Sequence, residues 1–276
     1  MLTASRSLRR NIKSAPELPR VPELDDLRNF PFHFRHGEVI MVAGRSGAGK
    51  STFVEWLVDQ MNLPTLYLSA DMTPYEASVR LACSRLRMTV DQIDAEVSKG
   101  GSGAERILSA LNDSRITFAF GEITWRGIEA QLEAYVEAWN AYPEIIVVDN
   151  LMDIENCEGD YHAQQQAMSW LTEISREIDC TMFILHHATD KSQEARQEPG
   201  RPPARHDIKN GLAEKPQSVL TVALSPYSDE FNIGVVKQRM GRQDQTAFQY
   251  VTIKAIPAEA RYEKHGSSSA ATRFLQ

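Results

Sequence analysis

Apolar residues in this chain cluster in short continuous runs, separated by longer stretches with a helical repeat. The continuous runs predict strands buried on both faces, because a strand with one face in solvent would alternate apolar and polar residues. The predicted strands span residues 38–43, 65–69, 116–120, 144–149 and 181–185. The stretches between them predict helices with one buried stripe, as Phe53, Leu57 and Met61 show after the first run.

The last third of the chain has a different pattern, with three strand-like runs and no long helix between them. These runs lie near residues 218–224, 231–238 and 247–254. Alternation of strands and helices followed by strands predicts an α/β fold. We expect a mostly parallel, twisted sheet flanked by helices, with antiparallel strands at the C-terminal end.

The ends of the chain differ in composition from its centre. Residues 1–30 are rich in arginine and proline, and the stretch 257–276 contains a run of serine and alanine at 267–271. We therefore predict a basic N-terminal arm at 1–30, one domain at 31–256 and a flexible tail at 257–276.

Composition narrows the class of protein without deciding its function. The net charge of −7 argues against a surface that coats nucleic acid everywhere, although local basic loops could still bind it. The three cysteines are odd in number and lack metal-site spacing, which favours reduced thiols in the cytoplasm. No stretch is long and apolar enough to predict a membrane span or a secretion signal.

The most specific motif follows the first predicted strand and opens the first predicted helix. It matches G-x-x-x-x-G-K-[ST], the Walker A phosphate loop, in which backbone N–H groups surround phosphate oxygens at a helix N-terminus. Lys50 would reach the terminal phosphates, and the Ser51 hydroxyl would hold Mg²⁺. The predicted ATP-binding residues are Gly44, Arg45, Ser46, Gly47, Ala48, Gly49, Lys50, Ser51 and Thr52.

A carboxylate at the end of the fourth predicted strand completes this expectation. Asp149 follows a continuous apolar run, which is the position of a Walker B aspartate. In a parallel sheet its side chain would lie beside the phosphate loop, where it could bind Mg²⁺ with Ser51.

Five further segments resemble the RecA-like motor domain of DnaB-type replicative helicases, a P-loop NTPase fold, from about residue 25 to about residue 256. The segments correspond to that family's S-L-E-M stretch, Walker B strand, γ-phosphate sensor, R-P…D-L-R-x-S-G-x-I-E stretch and K-Q-R-x-G motif. They are residues 68–72, 147–151, 185–187, 201–214 and 237–241.

This resemblance implies roles for individual residues. Asp71 stands where the family has its catalytic glutamate, and His187 stands at the sensor position. Lys237 and Arg239 match cations that family members direct at the nucleotide of a neighbouring subunit. The resemblance thus implies a homo-oligomeric ring, usually a hexamer, that hydrolyses ATP at its interfaces and acts on single-stranded or forked DNA in replication.

Two departures from the family shape these expectations. Asp71 is one methylene shorter than glutamate, a loss of about 1.5 Å in reach, so hydrolysis would be slow. Only some forty residues precede the phosphate loop, so the family's N-terminal domain would be absent. The sequence looks like a stand-alone motor of the kind that phages and plasmids encode, acting in the bacterial host cytoplasm.

Two other functions remain open from the sequence. One is a RecA-like, DNA-dependent ATPase that serves recombination or partner loading without unwinding. The other is a structure-specific nuclease with an ATPase core, whose metal would bind an acidic cluster of Asp153, Glu155, Glu158, Asp160 and His162. DNA contacts are expected from the basic loop after the fifth strand, at Lys191, Arg196, Arg201 and Arg205.

Overall fold

The computed structural model describes residues 17–189, 198–239 and 241–265. Its strands are β1 (Val39–Gly44), β2 (Thr65–Ser69), β3 (Ile116–Phe120), β4 (Ile145–Asp149), β5 (Thr181–His187), β6 (Ser218–Leu224), β7 (Glu230–Gln238), β8 (Tyr250–Ile256) and β9 (Arg261–Glu263). Its α-helices are α1 (Lys50–Met61), α2 (Pro74–Leu86), α3 (Val90–Lys99), α4 (Gly101–Asn112), α5 (Trp125–Trp139) and α6 (Tyr161–Glu177). Among the described residues, no helix is long and apolar enough to cross a membrane.

The strands form one nine-stranded sheet in the order β3-β2-β4-β5-β1-β6-β7-β8-β9. The six strands from β3 to β6 in this order pair in parallel, and β7, β8 and β9 continue the sheet with antiparallel pairs. This architecture confirms the predicted α/β fold with antiparallel strands at the C-terminal end.

Helices cover both faces of the sheet because its central strands are apolar on both faces. Ile40 and Val42 of β1 pack with α1 in one core, whereas Met41 and Ala43 pack with α5 and α6 in a second core on the opposite face. The continuous runs in the sequence therefore correspond to strands buried between two helical layers.

The two ends of the domain extend further than the composition suggested. Pro22–Asn29 forms a 3₁₀ helix, and Leu24 and Leu27 within it join the core that contains α1. At the other end, Arg261–Glu263 adds a strand to the sheet inside the segment predicted as a tail. The domain boundaries themselves stay predictions.

Strand direction brings several predicted site residues to one edge of the sheet. Gly44 pairs with His187 at the carboxyl ends of β1 and β5, and Ser69 pairs with Asp149 at the carboxyl ends of β2 and β4. Ligands of open α/β sheets bind at this edge, outside the carboxyl ends of the strands.

Candidate nucleotide-binding site

The loop between β1 and α1 has the backbone conformation that a phosphate cradle requires. Gly47 and Gly49 have φ values of 71° and 78°, in the left-handed region that favours glycine. Gly44 leaves no room for a side chain either, because a Cβ there would lie 2.9 Å from the carbonyl oxygen of Val222. The glycines of the motif are therefore explained by the path of the backbone.

Lys50 lies folded across this loop. Its Nζ atom donates to the carbonyl oxygens of Gly44, at 3.2 Å, and Arg45, at 3.1 Å. The side chain is buried, so its ammonium group is held at the N-terminus of α1. A cation held where backbone N–H groups also converge favours a phosphate ligand.

Asp149 lies beside the first turn of α1, as the Walker B assignment predicts. Its Oδ2 atom accepts a hydrogen bond from the Tyr67 hydroxyl at 2.9 Å, and the carboxylate also accepts one from Ser51. Burial raises the pKa of Asp149, although the bonds from Ser51 and Tyr67 and the charge of Lys50 oppose this rise.

These groups fit Mg²⁺, which prefers hard oxygen ligands. The Ser51 hydroxyl and the Asp149 carboxylate are in contact, so one ion could bind both oxygens. A cation there would also offset the cost of burying the carboxylate. Ser51 and Asp149 are therefore the residues that would hold Mg²⁺.

Asp71 lies two residues past the end of β2 and is exposed. Burial is the main cause that raises the pKa of Asp149, and the negative charge of Asp71 adds to that rise. The two carboxylates are therefore close enough to interact. Asp71 therefore lies on the exposed side of the site, near Asp149.

The two histidines at the end of β5 have different environments. His187 is half-buried and pairs with Gly44, which places it next to the phosphate loop. His186 is fully buried, and burial lowers its pKa to about 4. Its Nε2 atom lies 3.1 Å from the carbonyl oxygen of Lys209, so the neutral ring donates this hydrogen bond. His186 thus links β5 to the segment that follows the basic loop.

Lys237 and Arg239 lie near the amino edge of the sheet, where the parallel strands begin, and not at the carboxyl edge with the phosphate loop. Gly44 of β1 pairs with Val222 of β6. Strand β7 is antiparallel to β6, and its Lys237 pairs with Val219, three residues before Val222. The Arg239 backbone is thus about five residues, or roughly 16 Å along the strands, from the level of Gly44.

Electrostatics agrees with this position of Arg239. Burial raises the pKa of Glu38, and the positive charges of Arg35 and Arg239 oppose the rise. Glu38 directly precedes β1, at the amino edge of the sheet. Arg239 is exposed there and cannot reach the phosphate loop of its own chain.

A family model described as an AAA domain matches residues 19–193, more than half of the chain. The chain belongs to this AAA domain family. The "Gene 65 protein" of Mycobacterium phage L5 is 26% identical over 234 residues, which cover 81% of this chain and 85% of the phage protein.

Two solved structures share the fold of this AAA domain. One, described as an ATPase domain, matches with a TM-score of 0.76 and 16% identity, over 95% of this chain and 97% of that chain. "The Structure Of A DnaB-Like Replicative Helicase And Its Interactions With Primase" matches with a TM-score of 0.75 and 16% identity, over 94% of this chain and 65% of that chain. The fold resembles that of a DnaB-type motor domain, as predicted, and membership of the AAA domain family supports the prediction of an ATP-hydrolysing enzyme.

The structure places the four predicted DNA contacts in different environments. Lys191 and Arg196 lie outside the described residues, and Arg205 is half-buried in a 3₁₀ turn. Arg201 is buried: its guanidinium donates to the carbonyl oxygens of Thr246 and Ala247 and lies 3.6 Å from the centre of the Phe248 ring. Arg201 holds the loop between β7 and β8, so we withdraw it as a DNA contact.

Two residues of the acidic cluster after β4 form hydrogen bonds that stabilise the local backbone. Asp153 accepts hydrogen bonds from the backbone and side chain of Asn150, and Asp160 caps α6 by accepting from His162 N and Ala163 N. In the part of the chain that the structure describes, no three His, Cys, Asp or Glu side chains form a group that could hold a metal ion. The nuclease alternative therefore loses its proposed metal site.

Glu55 is a residue of this AAA domain that sequence reasoning missed. It lies in α1 one turn after Ser51, on a helix face that the apolar pattern did not distinguish from the core. Burial raises its pKa to about 8. Neither of its carboxylate oxygens meets a hydrogen-bond partner among the described residues. With this pKa the carboxyl is mainly protonated at pH 7.

Glu55→Gln should stabilise the protein at alkaline pH and leave its stability almost unchanged at pH 5. A raised pKa in the folded state supplies stability below about pH 4.5, and this stability is lost as the pH rises towards 8. The amide does not titrate, so the variant should gain on the order of 3 kcal/mol over the wild type between pH 5 and pH 8. Urea unfolding at both pH values measures the difference, with exposed Glu105→Gln as the control. A difference that does not change with pH would contradict the buried, neutral carboxyl.

Proposed function

We propose that this protein is the ATP-hydrolysing motor of a DnaB-type translocase or helicase that acts on single-stranded or forked DNA in replication. One observation carries the proposal: the phosphate loop and Arg239 lie at opposite edges of the same sheet. A chain built this way can complete its catalytic site only by placing Arg239 against the phosphate loop of another copy. This arrangement favours head-to-tail assembly, which closes into a ring when the rotation between copies permits.

The proposed chemistry follows from the residues at the carboxyl edge. Backbone N–H groups of the loop and Lys50 bind the phosphates, and Asp71 accepts a proton from the attacking water. Mg²⁺, held by Ser51 and Asp149, would neutralise charge on the phosphate oxygens. Arg239 of a neighbouring copy stabilises the charge that develops on the transferred phosphoryl group.

Lys237 contributes differently from its predicted role. Its Nζ atom donates to the carbonyl oxygens of Glu214, at 2.6 Å, and Pro216, at 2.8 Å. Burial lowers its pKa to about 8. We propose that Lys237 anchors the segment before β6 within its own chain, and that it contacts a neighbouring nucleotide only after releasing these carbonyls.

DNA binding is proposed along the segments that follow β4 and β5. Both begin at the carboxyl edge, and the second contains Lys191, Arg196 and Arg205. Hydrogen bonds join the segment near Arg205 to the end of β5. Thr189 N donates to Asp207 O, and His186 donates to Lys209 O. A change at the phosphates could therefore move the DNA-binding segment.

Measurements with DNA test the proposal. We expect ATP hydrolysis to rise when single-stranded DNA is added, the solution mass with nucleotide to correspond to a ring, and a tailed fork to be unwound. Hydrolysis stimulated by DNA without unwinding would favour the alternative, a RecA-like ATPase for recombination or partner loading. Hydrolysis by a monomer that does not respond to DNA would contradict both.

Asp71→Asn should retain ATP binding and lose hydrolysis by about two orders of magnitude, because an amide cannot accept the proton of water. Asp71→Glu restores the longer side chain of the family and should raise the rate above that of the wild type. Steady-state hydrolysis and equilibrium nucleotide binding measure the two effects, with exposed Asp91→Asn as the control. Full activity of Asp71→Asn would place the base at another residue.

A further inference from the structure

A groove between α5 and α6 combines an apolar floor with an acidic rim. Its rim carries Glu129, Glu133, Glu137 and Glu177, and no lysine or arginine is among the described residues that line it. Its floor includes Val136, Trp170, Ile174 and Ile178. The cleft has a volume of about 470 Å³. This acidic groove lies on the face of the sheet away from α1, and its Ile178 end reaches the amino edge.

The chemistry of the acidic groove specifies its ligand. Four carboxylates around apolar side chains fit a segment that presents apolar residues flanked by cations. The first sixteen residues, which lie outside the described part of the chain, have this composition. They contain Arg6, Arg9, Arg10 and Lys13, no Asp or Glu, and the apolar residues Leu8 and Ile12 four positions apart.

The described chain begins at the amino edge of the sheet, near the Ile178 end of the groove. Leu18 N donates to Phe34 O, and Glu17 forms an antiparallel bridge with Arg35, which lies two residues before Gly37. Position 37 lies against Asp179, since a Cβ on Gly37 would be 3.2 Å from the Asp179 carboxylate. Asp179 directly follows Ile178 of the groove.

Residues 1–16 are also long enough to reach along the acidic groove. Leu8 and Ile12 precede Glu17 by nine and five residues, and nine extended residues span up to roughly 30 Å. The glutamates of α5 extend over eight residues of helix, about 12 Å. An attached segment has a high effective concentration at such a site, which favours docking even when each contact is weak.

We propose that residues 1–16 of the chain dock in the acidic groove of the same molecule, with Leu8 and Ile12 on its floor and the four cations against its rim. This interaction surface is independent of the proposed ATPase function, because none of its residues belongs to the nucleotide site.

Trypsin cleavage after Lys13 measures the docking in the full chain, with the product identified by mass. Reversing the rim with Glu133→Lys and Glu137→Lys should accelerate this cleavage roughly tenfold, because two attractions become repulsions. Reversing the segment with Arg9→Glu and Arg10→Glu should do the same. Combining all four substitutions should restore slow cleavage. The matched control, Glu105→Lys with Glu173→Lys, changes the same charge on helical positions outside the groove and should leave the rate unchanged.

The combined variant separates docking from a general effect of charge or misfolding. Slow cleavage restored in it, at a rate independent of protein concentration, supports docking within one molecule. Equal rates in all variants, or no restoration in the combined one, would overturn the proposal. Protection that disappears on dilution would show that the segment binds a second copy, and would overturn docking in the same molecule.

Discussion

Lys50→Ala should abolish ATP hydrolysis while the protein remains folded. The substitution removes the cation held across the phosphate loop, and electrostatic groups of this kind contribute at least two orders of magnitude to catalysis, about 3 kcal/mol or more. It leaves the glycine backbone intact, and the Gly44 carbonyl oxygen keeps its hydrogen bond from Ala188 N.

Hydrolysis rate, nucleotide affinity and thermal unfolding together test this prediction. We expect a rate below about 1% of the wild type and weakened ATP binding, with a melting temperature close to that of the wild type. Lys99→Ala, which removes an exposed lysine at the end of α3, serves as the control. A folded Lys50→Ala protein with wild-type turnover would end the ATPase assignment of this loop.

Arg239→Ala should preserve ATP binding and reduce hydrolysis by about three orders of magnitude, the scale of an arginine supplied in trans. Binding should persist because Arg239 lies at the amino edge, far from the phosphate loop of its own chain. Stability should also persist because the side chain is exposed.

Arg242→Ala is the matched control, since Arg242 is an exposed arginine three residues away. It should retain hydrolysis if the effect belongs to Arg239 itself. Arg239→Lys should recover only part of the rate, because a lysine lacks the planar, bidentate guanidinium. An Arg239→Ala protein with full hydrolysis would remove this residue from the catalytic site.

The site residues at the carboxyl edge of the sheet could be predicted from the sequence, because each belongs to a short, continuous sequence pattern. The phosphate loop is one continuous motif, and Asp149 ends a continuous apolar run. Parallel pairing then brings these segments together without further information. Residues whose role depends on one strand and one adjacent loop are the easiest to assign.

The N-terminal segment shows what the sequence analysis missed. Its arginines and prolines indicated an arm, although Val21, Leu24, Leu27 and Phe30 recur at intervals of three. That interval is the period of a 3₁₀ helix, which Pro22–Asn29 forms, and not the mixed three and four of an α-helix. The α-helical and strand periods therefore give no sign that these residues are buried.

Tertiary context decided two other features. Helix α4 begins with Gly101-Ser102-Gly103, a composition typical of a loop, and buries only Ile107, so local propensity gave little sign of it. The motif at 237–241 implied that Lys237 and Arg239 both face a neighbouring nucleotide, but β7 ends at Gln238 and the Lys237 ammonium binds carbonyls of its own chain. Neither the strand end nor these carbonyl partners can be seen in the sequence.

A mixing experiment tests the central claim, catalysis between copies, most directly. Lys50→Ala and Arg239→Ala proteins should each be inactive alone. In a mixed assembly, some interfaces join the intact loop of one variant to the intact Arg239 of the other. If interfaces act independently, an equal mixture should regain about one quarter of wild-type hydrolysis, with a parabolic dependence on the mixing ratio. Inactivity at every ratio, with mixed assemblies confirmed by solution mass, would contradict the account.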